Sequence, residues 1–145
     1  MKITRLKINR IINPMGFELK SLSASWVTEE TSAKKQKWAR VEVAADPAFQ
    51  SLLWDSEEQE GLSSVDCPLP ITTQPRTRYW WRVTVCADNG DTAVSEPAWF
   101  ETAKGDEPWQ GKWITIGQDD IHPLLRRSFH LEEEPVCTYA PDSWA

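Results

Sequence analysis

The alternation of apolar and polar residues predicts an all-β fold, a β-sandwich of immunoglobulin-like type with about seven strands. Three observations carry this reading. Apolar positions recur with a period of two, most clearly over residues 77–87, and a 3.6-residue period is nearly missing. The apolar runs are short, as strands are. Clusters such as Asn13-Pro14, Asp46-Pro47 and Asp88-Asn89-Gly90-Asp91 separate them, and these are turn residues.

Taken in order, residues 3–9 form the first strand, closed by Asn13-Pro14 and Gly16. Residues 23–28 form the second, bounded by the acidic turn Glu29-Glu30. The third, 37–45, stops at Asp46-Pro47, because proline has no N–H to give to a ladder. Residues 51–55 make a short fourth segment, and a charged stretch to Gly61 leads into 62–66. The longest strand is 77–87. The last, 92–102, is broken by Pro97. These elements occupy residues 1–104 as one sandwich.

Beyond Lys104 the composition shifts. Residues 105–108, Gly-Asp-Glu-Pro, read as a linker, and new alternation follows at 109–116 and 123–131. The segment 109–145 is too short to close a core of its own, so it reads as the incomplete start of a second β domain.

Lys plus Arg number 16 and Asp plus Glu 22, a formal net charge of −6. That balance lacks the basic footprint that neutralises phosphates, so nucleic acid is not an expected partner. No apolar stretch approaches the roughly 18 residues of a membrane helix, and charge interrupts the N-terminal residues where a signal peptide would be apolar. The expectation is a soluble, cytoplasmic protein. Cys67, Cys86 and Cys137 are three widely spaced cysteines, and His122 and His130 the two histidines, so neither a disulfide framework nor a metal site is expected, and no cofactor.

Carboxylates are plentiful, but Glu29-Glu30, Asp55 with Glu57, Glu58 and Glu60, Asp119-Asp120 and Glu132 to Glu134 fall in predicted turns or at strand ends. Solvated loop positions of that kind nominate no facing acid pair and no catalytic residue. Nucleophile and phosphate-loop motifs are missing as well.

The nine tryptophans carry more signal. On strand 77–87, Tyr79, Trp81, Val83, Val85 and Ala87 share the core face, leaving Trp80, Arg82, Thr84 and Cys86 outside. By the same alternation Trp38, Arg40 and Glu42 point outward from strand 37–45, and Trp99 and Glu101 from the last strand. If the three strands share a sheet, its outer face displays Trp38, Arg40, Trp80, Arg82 and Trp99. Such a face serves to dock another domain, or closes on itself as a cation–π ladder, or stacks on sugars. Exposed apolar surface there would also favour self-association. Trp26 and Trp54 read as core or core-edge residues.

Pro75-x-Thr77-x-Tyr79 running into Arg82-Val83-x-Val85-x-Ala87, with Asn89-Gly90 and Ser95-Glu-Pro97 behind it, resembles the end of a fibronectin type III domain. In that fold the tyrosine anchors a corner, and Trp26 matches its second-strand tryptophan. A longer series of blocks includes Asn13-Pro-Met-Gly16, Leu22-Ser-Ala-Ser-Trp26, Val41-Glu-Val-Ala44, Ser95-Glu-Pro-Ala-Trp-Phe-Glu-Thr102, Trp109-Gln-Gly-Lys-Trp-Ile114 and His122-Pro-Leu-Leu-Arg126. Together they resemble the N-terminal region of bacterial alpha-L-rhamnosidases, multidomain inverting glycoside hydrolases. The resemblance implies catalytic carboxylates on an (α/α) barrel elsewhere in a parent enzyme. It further implies a non-catalytic accessory role for this chain, with the parent's other domains as partners. A stand-alone carbohydrate-binding module, taking rhamnosides on the exposed tryptophans, is the alternative.

Overall fold

The computed structural model describes residues 1–112, 114, 124–128, 130 and 132, and the chain divides into two units, Met1–Asp106 and Glu107–Ala145. In the second unit the described residues lie outside any strand; the rest of the strands expected at 109–116 and 123–131 falls outside the described residues, as do Trp113, His122 and Cys137.

The first unit is built from ten strands and, among the described residues, no helix. They are β1 (Lys2–Ile8), β2 (Met15–Phe17), β3 (Ser23–Glu29), β4 (Gln36–Ala44), β5 (Leu52–Asp55), β6 (Gln59–Glu60), β7 (Cys67–Pro68), β8 (Arg78–Ala87), β9 (Thr92–Val94) and β10 (Ala98–Thr102). One sheet has the order β1-β3-β7, the other β2-β10-β8-β4-β5, with β6 beside β4 and β9 beside β8. All pairs are antiparallel except β10 with β2.

The core lies between the sheets. Ile3, Ile8, Ala24, Trp26 and Cys67 from the smaller sheet meet Val41, Val43, Trp81, Val83, Val85 and Phe100 from the larger one. Burying large apolar side chains contributes roughly 1.5–3 kcal/mol each. Strand alternation therefore decides the fold: every inward residue of β8 from Tyr79 to Ala87 is buried.

Tyr79 stacks on Phe100 with ring centroids 5.2 Å apart, and its hydroxyl accepts the Gln74 N–H at 2.7 Å. This bond back to the chain just upstream is the tyrosine corner of immunoglobulin-like folds. Thr102 completes it, accepting from Thr77 N–H at 3.0 Å and donating to Gln74 C=O at 2.6 Å.

The number of strands exceeds the expected seven by three: β2 is added, and both flanks of the β4–β8 pair are interrupted. Pro97 divides residues 92–102 into β9 and β10, and a break at Ser56 separates β5 from β6. Val41 and Val83 lie opposite each other at these breaks. Ser56 donates its N–H to Val41 C=O at 2.9 Å and accepts Val41 N–H on its hydroxyl at 2.8 Å. Ser95 does the same to Val83, at 2.9 and 3.1 Å. Each serine keeps a buried backbone pair satisfied where the flanking strand stops.

The segment 62–66, expected as a strand, is instead a loop that touches β3 through one backbone bond, Trp26 N–H to Ser64 C=O at 2.9 Å, and through the Ser23 hydroxyl donating to the Asp66 carboxylate. The ladder proper begins at β7. β2 was not expected at all. Three residues give no periodicity, and Asn13 fixes the segment by accepting the Trp99 N–H on its side chain at 3.2 Å.

Candidate functional site

β10, β8 and β4 are neighbours in the larger sheet, and register sets the rows of its outer face. Trp99, Trp80, Ala44 and Leu52 form one row. Arg82, Glu42 and Asp55 form the next, and Thr84 with Arg40 the one after. Cys86, Trp38 and Glu60 close the far end. The sheet thus brings Trp80, Trp99, Arg82 and Arg40 into consecutive rows. Trp38 sits three rows from Trp80, about 20 Å at roughly 3.3 Å per residue.

The arginines do not stack on the tryptophans beside them in sequence. Arg82 donates through Nε and Nη2 to Glu42 at 2.7 and 3.0 Å, a bidentate pair. Arg40 makes the same kind of pair with Asp55, its Nε 2.9 Å from Oδ1, and approaches Glu42 at 3.6 Å. Glu42 was expected to face solvent and Asp55 to lie in a solvated turn. Instead the Glu42 side chain is 6% exposed and the Asp55 side chain 25%, because each meets a guanidinium across the strand. The hydrogen bond from Arg40 holds the Asp55 carboxyl below the usual carboxylate range.

Two guanidinium–ring contacts are made elsewhere on the face. Arg78, bonded to Glu101 at 2.9 Å, lies 4.2 Å from the Trp99 ring centroid. Arg82 lies 4.3 Å from the ring of Phe49. Phe49 holds a left-handed backbone, φ 57°, uncommon for a bulky residue. The Asp46 carboxylate supports that loop by accepting the N–H groups of Ala48, Gln50 and Ser51 at 2.9, 3.2 and 2.7 Å. Sequence reasoning missed Phe49 and Arg78, whose roles depend on register and loop shape.

Trp38, Trp80 and Trp99 are each half-buried, while Ala44 in the tryptophan row is fully buried. Leu52 and Leu53, at the β5 edge, are 46% and 50% exposed. The face is therefore an apolar row bordered by neutralised charges. One face of the Trp99 ring is already taken by Arg78. Among the described residues no His, Cys, Asp and Glu group could hold a metal ion, and no helix is long and apolar enough to cross a membrane.

Two packed sheets, a tyrosine corner and a buried tryptophan on β3 define an immunoglobulin-like β-sandwich domain, in which the Glu42, Asp55 and Glu101 carboxylates bind arginines of the same sheet. The chain belongs to the family of Rha78A-like N-terminal immunoglobulin domains, the family model matching residues 3–106. A curated relative, an alpha-L-rhamnosidase of Streptomyces avermitilis, is 32% identical over 79% of this chain. The crystal structure of a Streptomyces avermitilis alpha-L-rhamnosidase complexed with L-rhamnose matches with a TM-score of 0.69 at 29% identity, over 79% of this chain and 12% of that one. An alpha-L-rhamnosidase from Dictyoglumus thermophilum shares the fold, with a TM-score of 0.66 at 24% identity, over 79% of this chain and 14% of that one. The chain spans only 12% of the curated relative's length.

Proposed function

We propose that this chain is the non-catalytic N-terminal accessory domain of an alpha-L-rhamnosidase, a glycoside hydrolase that releases L-rhamnose. The observation that carries the reading is the match of residues 3–106 to the N-terminal immunoglobulin domain of that enzyme family. Its work is structural. Trp99, Trp80 and Leu52, side by side in one row, dock on other parts of the parent polypeptide, with Arg82, Arg40 and Trp38 on the same face. The carboxylates Glu42, Asp55 and Glu101 are bound up in arginine pairs, which supports a domain that positions rather than cuts. The two buried free thiols Cys67 and Cys86 support a reducing, cytoplasmic setting.

Three measurements test this. The purified chain is expected to leave a chromogenic alpha-L-rhamnoside intact, and rhamnose is expected to leave its tryptophan emission unchanged. In the parent enzyme, Trp80→Ala with Leu52→Asp is expected to lower the midpoint of thermal inactivation while kcat/KM at 25 °C holds. Hydrolysis by the chain, or a docking variant without effect on the parent's stability, overturns the reading. A saturable rhamnose response revives the binding module.

A further inference from the structure

The turn between β8 and β9 and the connection between β3 and β4 meet through Asn89 and the aspartates on either side of it. The turn is tight. Gly90 donates its N–H to Ala87 C=O at 3.1 Å, and Ala87 donates its own to Asp91 C=O at 2.8 Å. Gly90 takes φ 91°, a conformation that residues with a side chain rarely adopt. Asn89 Oδ1 accepts the Asp91 N–H at 3.0 Å, while Nδ2 donates to the Asp91 carboxylate at 2.9 Å and reaches the Ser32 hydroxyl at 3.4 Å. A carboxylate only accepts and a backbone N–H only donates, so these partners fix which end of the amide is which.

The same carboxylate carries the link onward. Thr31 donates to Asp91 at 3.0 Å and accepts the Ala33 N–H at 3.1 Å. Beside it, Asp88 accepts the Lys34 N–H at 3.1 Å and donates its own N–H to Lys35 C=O at 2.9 Å. The hydrogen bonds from Asn89 and then Thr31 hold the Asp91 carboxyl below the usual carboxylate range, so it is anionic at neutral pH. The contact depends on residue 89 being a donor.

The sequence holds three asparagines, Asn9 before Arg10, Asn13 before Pro14 and Asn89 before Gly90. An asparagine loses its amide when the backbone nitrogen of the next residue attacks the side-chain carbonyl carbon. Proline has no N–H to give up, and an arginine side chain crowds the approach; glycine leaves it open. Asn89 and Gly90 are both exposed, and nothing lies within 4 Å of where a Cβ on Gly90 would stand. In the closed turn the nucleophilic N–H, the carbonyl oxygen and the leaving amide are each hydrogen-bonded, so the reaction starts from the open turn. There the Gly90 nitrogen gives its proton to water and bonds to Asn89 Cγ, the Cγ–Nδ2 bond breaks, and the nitrogen departs as ammonia with a proton from water. Water then opens the cyclic imide at either carbonyl, leaving aspartate or isoaspartate. The net change is asparagine plus water to acid plus ammonia, with no oxidation.

We propose that Asn89 is a deamidation site that works as a one-way latch: water converts it from the open turn, and the acid formed cannot close on Asp91, which frees residues 31–35 from the β8–β9 turn. The proposal stands independently of the rhamnosidase reading. For the test, the full chain is incubated in warm, mildly alkaline buffer, folded and in urea, and residues 9, 13 and 89 are read by peptide mass mapping. Chromatography separates isoaspartate from aspartate. Residue 89 is expected to convert in both states, about tenfold more slowly in the folded chain because its hydrogen bonds must first open, while Asn9 and Asn13 stay intact. Thr31→Val cuts one tie of the clasp without touching the reacting pair; it is expected to speed conversion of the folded chain about threefold and leave the rate in urea unchanged. Asn89→Asp, which puts a carboxylate against Asp91, is expected to speed hydrogen exchange of the Ala33 and Lys34 amides at least about threefold. The buried Val83 amide keeps its protection there, showing the sandwich intact. Equal rates folded and unfolded, a folded chain whose residue 89 stays asparagine, earlier conversion at Asn9, or a Thr31→Val chain that converts no faster overturns the proposal. So do Ala33 and Lys34 amides that exchange in Asn89→Asp as they do in the unaltered chain.

Discussion

Deleting one hydroxyl, Ser95→Ala, tests how the interrupted flanks of the β4–β8 pair are held. Val83 is fully buried and Ser95 is 6% exposed, so the Val83 N–H that bonds the Ser95 hydroxyl at 3.1 Å has no route to water once that oxygen is gone. Leaving a buried amide unpaired costs about 1–3 kcal/mol, and the alanine keeps the backbone bond to Val83 C=O and creates almost no cavity. At roughly 4–8 °C per kcal/mol for a domain of this size, the melting midpoint falls by at least about 4 °C. Ser56→Ala, acting on Val41 from the opposite flank, is expected to cost as much. The two serines share no partner, so the double variant should lose the sum to within about 0.5 kcal/mol. Urea unfolding followed by tryptophan emission gives the energies, and hydrogen exchange of the Val83 and Val41 amides locates them. Ser63→Ala, which touches only the exposed loop amides of Val65 and Asp66, is the control and should change stability by less than about 0.5 kcal/mol. If Ser56→Ala and Ser95→Ala are as neutral as the control, the serines do not complete the ladder.

Glu42→Gln leaves Arg82 without its bidentate carboxylate and is expected to destabilise by about 2–3 kcal/mol in urea unfolding, against less than about 1 kcal/mol for Glu29→Gln in its exposed pair with Arg5. Asp55 has its folded-state pKa depressed chiefly by the Arg40 hydrogen bond, so its contribution is present above the unfolded value of about 3.9 and lost as pH falls through the folded value. The urea midpoint should therefore fall below about pH 4, and Asp55→Asn should make that fall shallower. Burial pushes the Cys67 thiol up to about 11, and it has no exposed surface, so peptide mapping should find it unmodified by iodoacetamide in the native protein and alkylated after urea unfolding.

Much of the fold was legible because one strand repeats its pattern for ten residues. Over β8 the inward set from Tyr79 to Ala87 is read directly from the sequence, and Trp26 is correctly placed as core. The fragments Gln59–Glu60 and Cys67–Pro68 were illegible because two residues carry no period. Which residues share the outer face of β10, β8 and β4 was legible, their chemistry less so. Alternation puts Trp80 and Arg82 on one side, yet only register reveals that Glu42 stands opposite Arg82. A bidentate carboxylate outcompetes a neighbouring indole for a guanidinium, so Arg82 turns away from Trp80 and takes Phe49 as its ring partner. That phenylalanine arrives from a loop whose course depends on three amides converging on Asp46, a relation no spacing rule anticipates.

The divided flanks of the larger sheet also bear on how copies of this domain behave when crowded. β2, β5, β6 and β9 contain three, four, two and three residues. β1, seven residues long, is offset by a bulge where Arg5 adopts φ 52°. A neighbouring molecule seeking to extend either sheet finds too few consecutive open amides to hold a new strand. Fragmented borders thus give a tryptophan-rich domain little template for edge-to-edge pairing between copies.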